Sequence, residues 1–183
     1  FAPVRRELPR GLTRMADPKE IARVEKLIRD KGIKIIDMRF VDLFGLWQHL
    51  SLPAERLITY KTLSDSIWID GMGFDGSSIR GFQSIEESDM LLIPDPTSAF
   101  VDTMLTVPTV AIICDVYDPV TGMPYNRDPR FIARKAEHYL KETGIATTSY
   151  WGPEAEFFVF DHVSFDQSMA HGYYYLDSEE GIW

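Results

Sequence analysis

The pattern that most constrains the fold runs from Ile33 to Val41. Ile36, Met38 and Phe40 alternate with Asp37 and Arg39, and side chains two apart on an extended backbone share a face. This predicts a half-buried strand. Asp42-Leu43-Phe44-Gly45 is a turn, and Leu46–Leu52 returns as the hairpin partner. Ahead of the strand, Asp17-Pro18-Lys19-Glu20 reads as a helix start. Asp17 caps, Pro18 takes the first helical position and Glu20 sits where a capping-box acid belongs. Ile21, Val24, Leu27 and Ile28 recur at helical spacing, and Gly32 ends the helix.

Residues 53–105 read as turns and short extended pieces, with Met90–Ile93 as a buried strand. Stretches with so little regular structure are often functional. A strand over Thr109–Val116 follows, with Cys114 in the core, and then the turn Asp118–Gly122. Asp128-Pro129 repeats the helix-start signal, with an apolar stripe of Ile132, Ala133, Ala136, Tyr139 and Leu140 closed by Gly144. A further strand is expected over Glu154–Phe160. Helix, hairpin, loop and strand up to about residue 125 make a small α+β unit, and the helix and strand after it begin a second one. Phe1–Arg14, with four arginines and two prolines, is expected to be a disordered extension or tag, with Met15 as a natural start.

Charge narrows the partners. The 183 residues carry a net charge of −9, which disfavours nucleic acid and anionic membranes. Strictly apolar runs such as Val110–Cys114 are far shorter than a membrane helix requires. A single cysteine excludes an intrachain disulfide and fits a reducing, cytosolic setting. From Pro153 to Trp183 there are seven acids and no Lys or Arg, a patch that either faces solvent or holds cations.

Two local features carry chemistry. In Gly152-Pro153-Glu154-Ala155-Glu156-Phe157-Phe158-Val159-Phe160, a strand would set Glu154 and Glu156 on one face, about 6.5 Å apart. Paired carboxylates beside aromatic residues need a cation to offset their repulsion, and hard oxygen ligands suit Mg2+ or Mn2+. The competing reading is an edge strand with its glutamates in water. In Phe74-Asp75-Gly76-Ser77-Ser78-Ile79-Arg80-Gly81-Phe82, a glycine- and hydroxyl-rich loop can present Asp75, Ser78 and backbone N–H groups to a small ligand. The competing reading there is a plain turn cluster. With few apolar anchors and four nearby glycines, the loop is expected to be mobile on its own.

Gly71, Gly73 and Gly76 also match the spacing of a dinucleotide-binding turn. Ser66–Asp70 is a candidate strand before it, but Ser77–Gly81 is no helix start, so the match is rejected. No Gly-Lys-Ser/Thr phosphate loop occurs. His49, His138, His162 and His171 are scattered without zinc-ligand spacing.

The sequence resembles glutamine synthetase of the bacterial type I class, from about Met15 to Trp183. The resemblance rests on Phe74–Ile79, on Glu87-Ser88-Asp89-Met90 with Pro94-Asp95-Pro96, and on Tyr125-Asn126-Arg127-Asp128-Pro129-Arg130. Gly152–Phe160 and Tyr174–Gly181 extend it. It implies an α+β protein: a small β-grasp domain over 15–124, then the beginning of the catalytic domain over 125–183. The implied reaction is ATP-dependent ligation of ammonia to the side-chain carboxylate of glutamate, through an acyl phosphate. Glu154 and Glu156 would hold Mg2+ or Mn2+, and Asp75, with Ser78 nearby, would bind ammonium in a site shared with the next subunit of a cytoplasmic dodecamer. Members of the family are more than twice this length and carry the later metal and phosphate ligands, so the isolated chain is expected to be inactive. Phe82 stands where the family has tryptophan, and residues 53–73 look altered, with Trp68 and Ile69 unusual before the loop. A noncatalytic scaffold, or a ligase for another amine, are the alternatives.

Overall fold

The computed structural model describes residues 16–58, 67–84 and 88–182. The expected extension at 1–14, Met15 and Ser66 lie outside the described residues. Helix α1 (Pro18–Asp30) forms as the sequence predicts. Asp17 stays extended and accepts a hydrogen bond from the Lys19 N–H at 2.9 Å, while Gly32 takes φ +58° after the last turn. Glu20 does not close a capping box; it accepts from Arg23 Nε at 2.7 Å. Val24 and Ile28 are buried on the inner face of α1.

The expected hairpin is strand β1 (Ile35–Val41) against β2 (Trp47–Pro53), antiparallel, with Ile36 opposite Leu52. Asp42 forms the turn. Its carboxylate accepts from the N–H groups of Phe44 and Leu46 and from Gln48 Nε2, which is how it tolerates burial. Three further strands follow: β3 (Met72–Asp75), β4 (Asp89–Pro94) and β5 (Phe100–Asp102), then the long β6 (Thr109–Tyr117). The sheet order is β2-β1-β6-β4-β3, with β5 also paired to β6. β1 and β6 run parallel and every other pair is antiparallel. A mixed sheet with one helix packed across its apolar face is a β-grasp arrangement, and the protein is of the α+β class.

The core lies between α1 and the sheet. Ile36, Met38, Leu92, Val110, Ile112 and Val116 are each essentially inaccessible. Cys114 is also buried there, and burial raises its thiol pKa well above the usual value. Between the hairpin and β3 lie two single helical turns, α2 (Glu55–Ile58) and α3 (Ile67–Asp70). The candidate strand at Ser66–Asp70 is therefore helical over Ile67–Asp70. Ile67 and Trp68, adjacent in sequence, are both buried, which the alternating faces of a strand do not favour.

Helix α4 (Pro129–Glu142) has Asp128 as its cap and Gly144 at φ +70° beyond its end. The stripe foreseen on it is solvent-facing: no residue of α4 is buried, and Tyr139 is 64% exposed. The chain divides into two compact units, with the break between Thr148 and Ser149.

The second unit contains an antiparallel hairpin of β7 (His162–Gln167) and β8 (Gly172–Asp177). The strand expected over Glu154–Phe160 is not formed; residues 151–160 have no regular structure. A strand needs a neighbour to satisfy its backbone groups, and among the described residues none pairs with this segment. Its apolar side chains lie open, Phe157 at 80% and Phe158 at 86% exposure.

Candidate functional site

The loop around Asp75 is built by three segments. β3 ends at Asp75, opposite Asp89 of β4. A single 3-10 turn over Gly76–Ser78 follows, capped by Asp75. One carboxylate oxygen of Asp75 accepts from the Ser77 N–H at 2.9 Å and the Ser77 hydroxyl at 2.6 Å, and the other accepts from the Ser78 hydroxyl at 3.1 Å. The Ser77 hydroxyl and N–H, helped by Ser78, hold the carboxyl pKa below the usual aspartate value. Asp75 is exposed. The result is a fixed, ionised carboxylate in water with lone pairs to spare, suited to a small cation.

The loop is tied at both ends, against the expectation of a slack one. At its start, the Gly76 N–H donates to the Ser88 carbonyl, and the site has no room for a side chain because the Met90 thioether fills it. At its far end, Phe82 is buried between Phe40 and Tyr125, whose ring centroids lie 6.1 and 5.1 Å away. The Tyr125 hydroxyl donates to the Phe82 carbonyl at 2.5 Å. Arg127 Nη1 donates to the carbonyls of Gly81 at 3.1 Å and Phe82 at 3.0 Å. Arg80 lies over the Phe44 ring at 4.8 Å. The four glycines suggested slack; Phe82 is the anchor that outweighs them.

Glu154 and Glu156 lie on the irregular segment of the second unit, both exposed. They are not buried as a repelling pair, and the same-face relation expected of a strand is not formed. Asp75 and Ser78 are thus brought together, while the two glutamates belong to a different unit. Among the described residues no three or more His, Cys, Asp or Glu side chains converge as a metal cluster. The hard oxygens of Glu154 and Glu156 are the right donor type for Mg2+ or Mn2+, but two carboxylates fill only part of an octahedral shell.

A second constellation escaped sequence reading. Asp37, on the outer face of β1, accepts from Arg39 Nε at 2.7 Å and from the Ser51 hydroxyl at 2.9 Å, and lies 2.7 Å from His49 Nδ1. Arg39 continues to Asp102 at 2.5 Å. Burial alone would raise the Asp37 pKa; the bonds from His49, Arg39 and Ser51 outweigh it and bring the pKa below normal. Asp37, Arg39, His49 and Ser51 line an apolar cavity of about 720 Å³ with Trp47, Phe100 and Val107. The alternation of Asp37 and Arg39 was visible in the sequence, but the cross-strand partners that make them a network were not.

Comparison with known proteins follows the same order along the chain. The family model for the glutamine synthetase β-grasp domain matches residues 32–119, and that for the glutamine synthetase catalytic domain matches residues 126–181. The glutamine synthetase of Aquifex aeolicus is 54% identical over 157 residues, covering 86% of this chain and 32% of that protein. That of Microchaete diplosiphon is 48% identical over 169 residues, covering 92% of this chain and 34% of that protein. Among solved structures, the glutamine synthetase of Plasmodium falciparum superposes with a TM-score of 0.60 at 20% identity, over 87% of this chain and 30% of that one. At that identity the likeness speaks for the fold alone. The chain spans about a third of the length of the curated relatives it matches.

Proposed function

The chain belongs to the glutamine synthetase family, and from that premise we propose that it is the N-terminal part of an ATP-dependent ligase. The reaction joins ammonia to the side-chain carboxylate of glutamate: ATP phosphorylates the carboxylate, and ammonia displaces the phosphate to give glutamine. The observation that carries this reading is the succession of the two family matches, β-grasp then catalytic, along a chain about half identical to several glutamine synthetases. We place the β-grasp domain at 15–124 and the start of the catalytic domain at 125–183, with 1–14 as an extension. The gap between the two family matches, residues 120–125, supports that division.

Asp75 serves as the ammonium-binding group. Its low pKa keeps it ionised, which suits holding a cation better than retaining a proton. Ser78 steadies the carboxylate through its hydroxyl bond. Glu154 and Glu156 would hold Mg2+ or Mn2+, with the remaining ligands supplied from outside the described residues. Such ions, when bound, offset the charge of the phosphoryl group in transfer. The exposed Asp75 is available to a neighbouring subunit, in keeping with a ring assembly of twelve whose sites are shared. The protein would work in the cytoplasm. No helix among the described residues is long and apolar enough to cross a membrane.

The test is ATP- and glutamate-dependent ammonia ligation by the full-length protein that carries this chain. Turnover is expected there and absent from the isolated 183 residues. Glu154→Gln and Glu156→Gln should each weaken the dependence on Mg2+ or Mn2+ and slow the rate. A full-length protein that assembles but does not turn over would overturn the ligase reading in favour of a noncatalytic scaffold.

A further inference from the structure

We propose that Tyr125 and Arg127 are positioning residues for Asp75: they clamp the far end of its loop through two consecutive backbone carbonyls. The proposal rests on the function given above for its kinetic readout, and on geometry alone for its structural one.

Three hydrogen bonds converge on the carbonyls of Gly81 and Phe82, all from side chains more than forty residues away. Neither carbonyl belongs to a strand, and these donors hold the loop where a sheet ladder cannot. The donor segment is itself held. The Tyr125 N–H donates to the Val116 carbonyl of β6 at 2.8 Å, the Asp128 N–H donates to the Tyr125 carbonyl at 3.2 Å, and Asp128 caps α4. The loop is therefore referenced to β6 and to the start of α4. Gly81 sits at φ +82°, and a side chain there would press on Leu43 and Phe44, so the loop passes the hairpin turn at a distance that only glycine allows. With Gly76 pinned at the other end, Ser77 and Ser78, whose N–H and hydroxyl groups hold the Asp75 carboxylate, are spanned between two fixed points. A carboxylate that must meet a small cation in a site shared with another subunit depends on such placement; displacements near 1 Å cost on the order of a hundredfold in rate.

Both Arg127 bonds leave from one nitrogen, so a lysine amine can replace them. Arg127 is exposed and Tyr125→Phe keeps the buried ring, so neither substitution should prevent folding. The experiment compares Arg127→Ala, Arg127→Lys and Tyr125→Phe in the full-length protein, by steady-state kinetics and by amide hydrogen exchange. Arg127→Ala and Tyr125→Phe should each speed exchange across Ser77–Phe82 and raise the KM for ammonium about tenfold. The KM values for ATP and glutamate should stay within about twofold, and Arg127→Lys should restore most of both effects. Unchanged exchange in Arg127→Ala and Tyr125→Phe overturns the clamp whatever the activity. Faster exchange with all three KM values moving together, or none moving, overturns the positioning role. If the wild-type protein makes no glutamine, the ligase reading fails by itself, and the exchange measurement still decides the clamp.

Discussion

Arg134 of α4 reaches Asp115 of β6, with Nη1 2.6 Å from Oδ2. Arg130, one turn earlier, lies 2.8 Å from the other oxygen of Asp115, off the line of a good hydrogen bond, and also pairs with Asp95. Since no α4 residue is buried, charge rather than apolar packing fastens this helix to the sheet. Both arginines are mostly covered, at 26% and 19% side-chain exposure, so solvent screening is weak.

Asp115→Ala should therefore cost about 3 kcal/mol, because it strands two mostly covered guanidinium groups, only one of which keeps another carboxylate among the described residues. Urea denaturation should show a lower midpoint with an unchanged slope, and amide exchange should rise first along α4.

Asp128 titrates in the opposite sense to Asp37, Asp42, Asp75 and Asp102. Burial pushes its pKa up to about 6, against the bonds from the Val116 and Arg130 N–H groups, and nearby Asp115 adds to the rise. Between about pH 4 and 6 the folded state holds a proton that the unfolded chain has released. This group therefore favours folding below its unfolded pKa, and that contribution is lost as pH rises through 6. Asp75, Asp37, Asp42 and Asp102 have depressed pKa values and lose their contribution as pH falls. Asp128→Asn keeps a capping side chain but should steepen the loss of stability on acidification, by up to about 1.4 kcal/mol per pH unit within that window. Denaturant midpoints from pH 4 to 7 read it.

Gly71→Ala should destabilise by about 1–3 kcal/mol. Gly71 has φ +79°, and an added Cβ would come within 2.8 Å of the Leu92 carbonyl oxygen in β4 and 2.5 Å of the Ile93 side chain. The backbone oxygen cannot give way as a side chain can. Thermal melting should show the drop, whereas Gly32→Ala meets a strained φ but no neighbouring atom and should cost less.

Subunits carrying Asp75→Ala, mixed with subunits carrying Glu154→Gln, should recover part of the lost ligation. Random assembly regenerates some shared sites with both groups intact. Mixed assemblies no more active than either parent would mean that each site takes both residues from one chain.

Apart from the capping box expected of Glu20, local chemistry was legible in the sequence where neighbours in the chain supply it. Both Asp-Pro helix starts, the Asp42 turn and the β1–β2 hairpin are of this kind, and so is Asp75 with Ser77 and Ser78. What failed depends on distant partners. The segment at Glu154–Phe160 alternates well enough to read as a strand but has no neighbour among the described residues. Ile67–Asp70 is short and apolar, and periodicity over four residues does not separate a strand from a helical turn. The clamp from Tyr125 and Arg127 left no local pattern, because its acceptors are backbone carbonyls, which every residue has.

The parallel pairing of β1 with β6 has a bearing on how the chain is made. Ile35 must wait for Thr109, some 70 residues later, before its ladder closes. At ribosomal rates of roughly 5–20 residues per second, the edge of β1 that faces β6 stands unpaired for about 4–15 s. The backbone N–H and C=O groups along that edge of β1 are then open to pairing with a strand of another chain.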